Sequence, residues 1–427
     1  MKRKWGAVLA ATAVVVASLS ACSSDGAGQD SNELTLSAWG ASKSVEFTTL
    51  VDGFNRSNAG FTIKVKDYDP AEYSTQLTAD LAAGTGADLL TIKEQKSLPP
   101  LIDGKQLQDL SDVQVSPNLS RVSDYRIDGK VYAIPYRSDS VYLFYNKDLF
   151  DRAKMSYPDG NWTWQDYQAA AVKMSGALKE GGSDASATYL HPWANLIQGS
   201  ANAQVPGADV LSGKFGYFKP YYETALALQD QGAQPSFNTA KATKQDYTAT
   251  FAKQKTAMMP MGSWLISGLV RDQKSGVADK FAWGVAPLPQ YDASTTNRAK
   301  APVTFGGPTA IAVNAKVKGQ KLEKAKTFLR YVAEVQTQQQ LAERSVSPAL
   351  IEDATTKAYL GVQGMPNDEV TAYTLGNRDT RPELPIATKA SAVQTILDDM
   401  HTAIMSGSTP IDKAIADAEA RYANEIK

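Results

Sequence analysis

Lys130-Val-Tyr-Ala-Ile-Pro-Tyr136, a three-residue spacer, then Ser140-Val-Tyr-Leu-Phe-Tyr145 and Asn146-Lys-Asp-Leu-Phe150 is the stretch that decides the fold. Both runs are rich in β-branched and aromatic residues, the composition of a pleated, half-buried surface. The second passes directly into a helix start at Asn146. Two strands separated only by Arg137-Ser138-Asp139 place charged residues where an apolar run would otherwise continue.

Outward from there, strands and helices alternate. Glu33–Trp39 reads as a strand ending at Gly40. Ser44–Asn55 carries Val45, Phe47, Leu50, Val51 and Phe54 at helical spacing. Phe61–Lys66 alternates as a second strand, Tyr73–Ala83 is a helix stopped by Gly84, and 87–92 is a short buried strand. Thr163 with Asp166 forms a capping-box pattern. Tyr221–Gln231 reads as a helix, Thr256–Met261 as a strand that turns through Gly262-Ser263 into a helix, and Pro308–Asn314 as another strand. Leu322–Leu341 is expected to be one long amphipathic helix, and 391–426 two helices broken near Gly407. Such alternation implies an α/β fold with a parallel core and crossover helices. About 400 residues follow the leader, more than the roughly 250–300 one core usually supports, so two domains are expected.

The N-terminus is an address. Lys2-Arg3-Lys4, an apolar stretch to Ser18 and Leu19-Ser-Ala-Cys22 have the layout of a secretory signal peptide over 1–21. Cys22 is the sole cysteine, which excludes internal disulfides. Leu-Ser-Ala-Cys resembles the bacterial lipobox, in which that cysteine is acylated. Residues 22–32 are then a lipidated flexible tether holding the protein at the extracellular face of the cell membrane. With 44 basic and 45 acidic residues and no basic block, nucleic acid is not an expected partner. Two distant histidines and no spare cysteine argue against a transition-metal site, and no cofactor is expected.

The 132–150 string resembles the extracellular sugar-binding proteins of bacterial ABC importers, the group that includes maltodextrin-binding protein. Further blocks follow in that family's order: Gly84-Thr-Gly-Ala-Asp-Leu-Leu90, with Ala87 where proline is usual; Phe251–Met258 followed by Met261-Gly-Ser-Trp264, with Lys255 near the usual glycine; and Phe305-Gly-Gly307 leading into Ala312-Val-Asn314. The resemblance implies a two-lobed periplasmic-binding-protein-like fold with three interlobe crossings and a ligand cleft between the lobes. One lobe maps to 33–138 plus 303–345, the other to 139–302 plus 346–427. It further implies a monomer that closes on an oligosaccharide and docks on the permease of an ABC importer.

A sugar offers apolar C–H faces and a rim of hydroxyls, so its site needs flat rings and polar side chains. Trp39, where its strand meets a glycine, points either into a crevice or into the core. Trp193 and His191 lie in the irregular His191-Pro-Trp-Ala-Asn195, and Trp264 falls on the family's stacking tryptophan. Asp139 aligns with an acidic ligand contact of the maltodextrin relative; it and Arg137 either grip hydroxyls or form a salt bridge, solvated or between the lobes. Lys93 and Glu94 resemble a polar contact loop, and Ser42 and Lys43 follow Trp39. Phe305, Gly306 and Gly307 sit at the return crossing, the glycines allowing close ligand approach or a hinge. Arg378 and Arg381 read as a solvated loop. At least three tryptophans lean toward a di- to tetrasaccharide.

Two other classes fit the residues less well. A glycosidase needs a carboxylate pair flanking the scissile bond, and no spacing singles one out; no Gly-x-Ser-x-Gly elbow exists either. A binder of peptide, polyamine or metal leaves the aromatic loops without a purpose. The address reading carries its own check: Cys22→Ser is expected to move the protein from the membrane fraction into the medium, measured by fractionation.

Overall fold

The computed structural model describes residues 32–426, apart from 42–43, 59, 94 and 297–299. Cys22, Ser42, Lys43 and Glu94 lie outside the described residues. The strands are β1 (Glu33–Trp39), β2 (Thr62–Tyr68), β3 (Leu89–Ile92), β4 (Arg126–Ile127), β5 (Lys130–Val131), β6 (Ile134–Asn146), β7 (Ser186–Thr188), β8 (Thr256–Gly262), β9 (Trp283–Ala286), β10 (Val303–Val313) and β11 (Asp379–Pro382). Nine of them form one sheet in the order β2-β1-β3-β10-β6-β8-β7, with β9 on β6 and β11 on β10.

The sheet is continuous because β6 and β10 are long. The two runs expected around residues 130–145 are, in the structure, a small β4–β5 hairpin followed by one unbroken strand, β6. Arg137, Ser138 and Asp139 do not interrupt it, because their backbones pair with Thr309, Pro308 and Gly307 of β10. The first part of β6 pairs with β10 and the second, Val141–Tyr145, with β8 and β9.

Side chains on each part pack into separate cores. Leu89, Ile311 and Val313 point to one face of the first part with Phe47, Phe54 and Phe328. Their sequence neighbours Leu90, Ala310 and Ala312 point to the other with Tyr73 and Leu98, as a side-chain period of two requires. The second part is buried in one cluster running from Val141 to Phe305 and again from Tyr359 to Ala418, with Ala342 reaching into it from between. Core membership therefore changes between Tyr136 and Val141, between Phe305 and Ala310, and between Leu350 and Tyr359. These are the three crossings of a two-lobed α/β fold.

Local readings fare differently. Thr163 and Asp166 form the capping box, with mutual backbone hydrogen bonds, and the C-terminal helices break where Gly407 takes a left-handed φ of 77°. The long helix over 322–341 is instead two, Gly319–Ala333 and Val335–Ala342. Glu334 between them is extended, with ψ at 145°.

Gly306 sets how closely the shared strands approach, since a Cβ there would collide with the Asp139 carbonyl oxygen. Gly306→Ala is expected to cost about 1–3 kcal/mol of stability by overpacking. Gly268→Ala, in the interior of the helix Trp264–Ser275 with open space around its Cα, should gain up to about 1 kcal/mol. Urea denaturation midpoints check both.

Candidate functional site

Pairing register fixes where strand ends fall. β3 ends at Ile92 opposite Ala310, and β1 and β2 run parallel to it. On the other side β8 ends at Gly262 opposite Val141, with β7 parallel to it. The carboxyl ends of β1, β2, β3 and β8 thus point from both lobes towards the shared segments 138–141 and 306–310, while β7 stops short, beside Met258. Crevices outside carboxyl ends are where open α/β sheets bind ligands.

On the first lobe, Trp39 ends β1, and Gly40 at φ 53° turns the chain directly after it. The indole is half-buried, meeting Phe47 and Tyr73 edge-on at centroid distances of 5.1 and 5.0 Å. The Lys93 ammonium stands 5.3 Å from its ring centre and donates to the Pro70 carbonyl at 2.7 Å. Trp39 thus packs against both cores of the first lobe while part of its ring stays exposed.

On the second lobe, Trp193 is 39% exposed. It packs against His191 at 4.4 Å, Tyr247 at 5.3 Å and Trp264 at 6.4 Å. The Trp264 ring covers Gly262, occupying the space a Cβ there would need. His191 is held by Tyr189, whose hydroxyl lies 3.0 Å from Nδ1. The result is a continuous aromatic platform of His191, Trp193, Tyr247 and Trp264. Tyr247 was absent from the expectations above. Its only sequence signal is its place just after Asp246, which caps the helix Tyr247–Ala252 through the Ala249 N–H. Burial raises the pKa of its hydroxyl, opposed by side-chain hydrogen bonds with Thr248 and Trp264 and by the nearby Arg137 charge.

Arg137 and Asp139 form the hinge between these surfaces. Arg137 Nη1 lies 2.5 Å from Glu46 Oε2, and its Nε lies 2.7 Å from Asp139 Oδ2. Asp139 Oδ1 accepts from Ser263 Oγ at 2.6 Å, and Asp139 is 5% exposed. Both its oxygens are engaged by protein, so in this conformation it serves the interlobe salt bridge. Burial alone would lower the Arg137 pKa, but the Asp139 and Glu46 carboxylates raise it further than burial lowers it. Burial raises Glu46, which Arg137 opposes.

Phe305 is 1% exposed and lies against Gly199 in the second core, so its ring presents no face to the cleft. Gly306 serves strand packing, and Gly307 lies beneath the Gln95 side chain. The loop carrying Arg378 and Arg381 is mostly exposed, as expected of a solvated loop. It contains β11, and Arg378 and Arg381 donate to the carbonyls of Leu375 and Ala203. Beyond it Glu383 accepts from Asn195, two residues after Trp193, at 3.1 Å. Among the described residues no cluster of three or more metal-ligating side chains occurs, and no helix is long and apolar enough to cross a membrane.

Residues 49–362 match the bacterial extracellular solute-binding protein family. The chain belongs to that family. This solute-binding protein is 23% identical over 362 residues to the multiple sugar-binding protein of Streptococcus mutans, covering 78% of this chain and 79% of that one. It is 25% identical over 316 residues to the sn-glycerol-3-phosphate-binding periplasmic protein of Rhizobium meliloti, covering 70% of each. Its fold superposes with a TM-score of 0.76 on a sugar transporter from Rhizobium etli in an open conformation, at 26% identity, over 92% of this chain and 100% of the other. An extracellular location follows from the family.

The solute-binding protein's two histidines, His191 and His401, line one cavity of about 10 Å³ behind the platform, room for about one water. Burial lowers both to about 4. A base kept neutral in the fold but free to protonate when unfolded costs stability as pH falls from about 6.5 towards about 4. For the deeply buried His401 this loss is about 3 kcal/mol. His401→Gln should flatten the fall of the urea midpoint across that window.

Proposed function

We propose that this protein is the substrate-binding component of an ABC importer, capturing an oligosaccharide between its lobes and delivering it to the membrane permease. The observation that carries this reading is the convergence of Trp39 from one lobe and of His191, Trp193, Tyr247 and Trp264 from the other on one hinge. Flat rings suit the C–H faces of sugars, and such ring contacts add about 0.5–1.5 kcal/mol each beyond area burial. Lys93, Asn195 and Glu383 supply polar groups at the rim. The lobes are 33–138 plus 303–345 and 139–302 plus 346–427; core packing supports the first two crossings near those bounds and a third after Leu350. Three tryptophan faces spread over two lobes suit a ligand of two to four sugar units. The protein works as a monomer, held to the membrane through acylated Cys22.

Electrostatics separate this from the other readings. A phosphorylated polyol, as the Rhizobium meliloti relative's name describes, calls for an unengaged cation. Arg137 is instead shared by two carboxylates, and Arg121 is paired with Asp124 at 2.5 Å. Hydrolysis calls for a carboxylic acid with a free proton facing the bond, whereas Glu46 and Asp139 both hold Arg137. The protein is accordingly a binder and not an enzyme.

Calorimetry with glucose, maltotriose, xylotriose, chitotriose and glycerol-3-phosphate tests the reading. A trisaccharide is expected to bind tightest and to be recovered intact. Hydrolysed sugar would point to an enzyme, and tightest binding of glycerol-3-phosphate to a polyol-phosphate carrier. Trp264→Ala and Trp193→Ala should each weaken the trisaccharide at least about tenfold, or about 1.4 kcal/mol.

A further inference from the structure

Glu46 stands apart from the aromatic platform. It lies in the first turn of the helix Val45–Ser57, whose N-cap residue Ser44 makes no side-chain cap, and it is 3% exposed. A carboxylate leaves water only where something binds it; here that is the Arg137 guanidinium at 2.5 Å. The same guanidinium contacts Asp139 at 2.7 Å and donates to the Thr309 hydroxyl at 3.2 Å. Asp139 then accepts from the Ser263 hydroxyl at 2.6 Å, and the Ser263 N–H donates to the Ser140 carbonyl at 2.9 Å. Trp264 is the next residue. A line of ion pairs and hydrogen bonds runs from a first-lobe helix, through the shared strand, to the start of the second-lobe helix that carries a platform ring.

Two features separate this line from an ordinary stabilising contact. Buried ion groups recover little stability over apolar replacements, and their better-attested use is to fix one arrangement among several. Ser263 also occupies the N-cap position of the helix Trp264–Ser275 without capping it. Its hydroxyl is directed to Asp139 instead.

We propose that Glu46 and Arg137 are positioning residues for ligand capture. They orient Asp139 and, through Ser263, set the place of Trp264, so that contact from the first lobe fixes a stacking face on the second. Its consequence for capture rests on Trp264 being a ligand-stacking residue, as proposed above; the relay itself does not.

The test needs no ligand for its primary readout. In the full chain labelled with 5-fluorotryptophan, the Trp264 fluorine resonance is assigned by its loss in Trp264→Phe. Glu46→Gln is expected to shift or broaden that resonance while leaving those of Trp162 and Trp164 in place. Ser263→Ala is expected to displace it too, and the double variant to go no further than Ser263→Ala. Thr309→Val, which removes one Arg137 partner and no charge, should give a smaller displacement and serves if Glu46→Gln does not fold. A Trp264 signal unmoved in Thr309→Val and in any folded Glu46→Gln protein overturns the proposal, as does an additive double variant. Calorimetry with maltotriose, xylotriose and chitotriose then separates the two readings. If Trp264 moves and Glu46→Gln weakens the bound trisaccharide about tenfold, both stand. If Trp264 moves and none of the three sugars binds, the relay stands and the sugar reading falls.

Discussion

Two strands belong to both lobes, and the molecule is organised around that sharing. β6 and β10 pair antiparallel through the hinge, with Gly306 and Gly307 directly against Ser140 and Asp139. A side chain at Gly306 would force the strands apart at the point where the cores separate. Because the strands continue into both lobes, the ends of their neighbours are delivered to one place. Register sets where those ends fall, before any side-chain preference acts.

Much of this was legible in the residues. Trp39, Trp193 and Trp264 could be singled out because each follows a strand pattern at a glycine or in an irregular loop, where a ring has no stripe to join. What stayed hidden depends on distance along the chain. Tyr247 reads as an ordinary helix residue until a loop more than 50 residues earlier lays Trp193 against it. Glu46 resembles a solvated first-turn carboxylate, and only β6 reveals its partner 91 residues away. Phe305 misled for the converse reason. It borders two glycines, but strand alternation turns its ring into the core over Gly199. The break at Glu334 was invisible to a periodicity count, because the helices on either side each keep their apolar face.

Asp139 illustrates how one residue type supports two readings that spacing cannot separate. A carboxylate between two apolar strands suits either a sugar hydroxyl or a buried counter-ion. Burial and partner count decide: with both oxygens engaged, it links the lobes. Charge is thereby concentrated where the two cores meet.

The shared strands also govern the order in which the chain can acquire its structure. β3 at residues 89–92 needs β10 at 310–313 as its partner, and the first core includes Ala349 and Leu350. The first lobe therefore stays incomplete until some 350 residues have been made, although its sequence begins at residue 33. Long-range pairing of this kind slows folding. For a protein that works outside the cell, this delay is useful: the N-terminal portion stays open and threadable while the rest is still being synthesised.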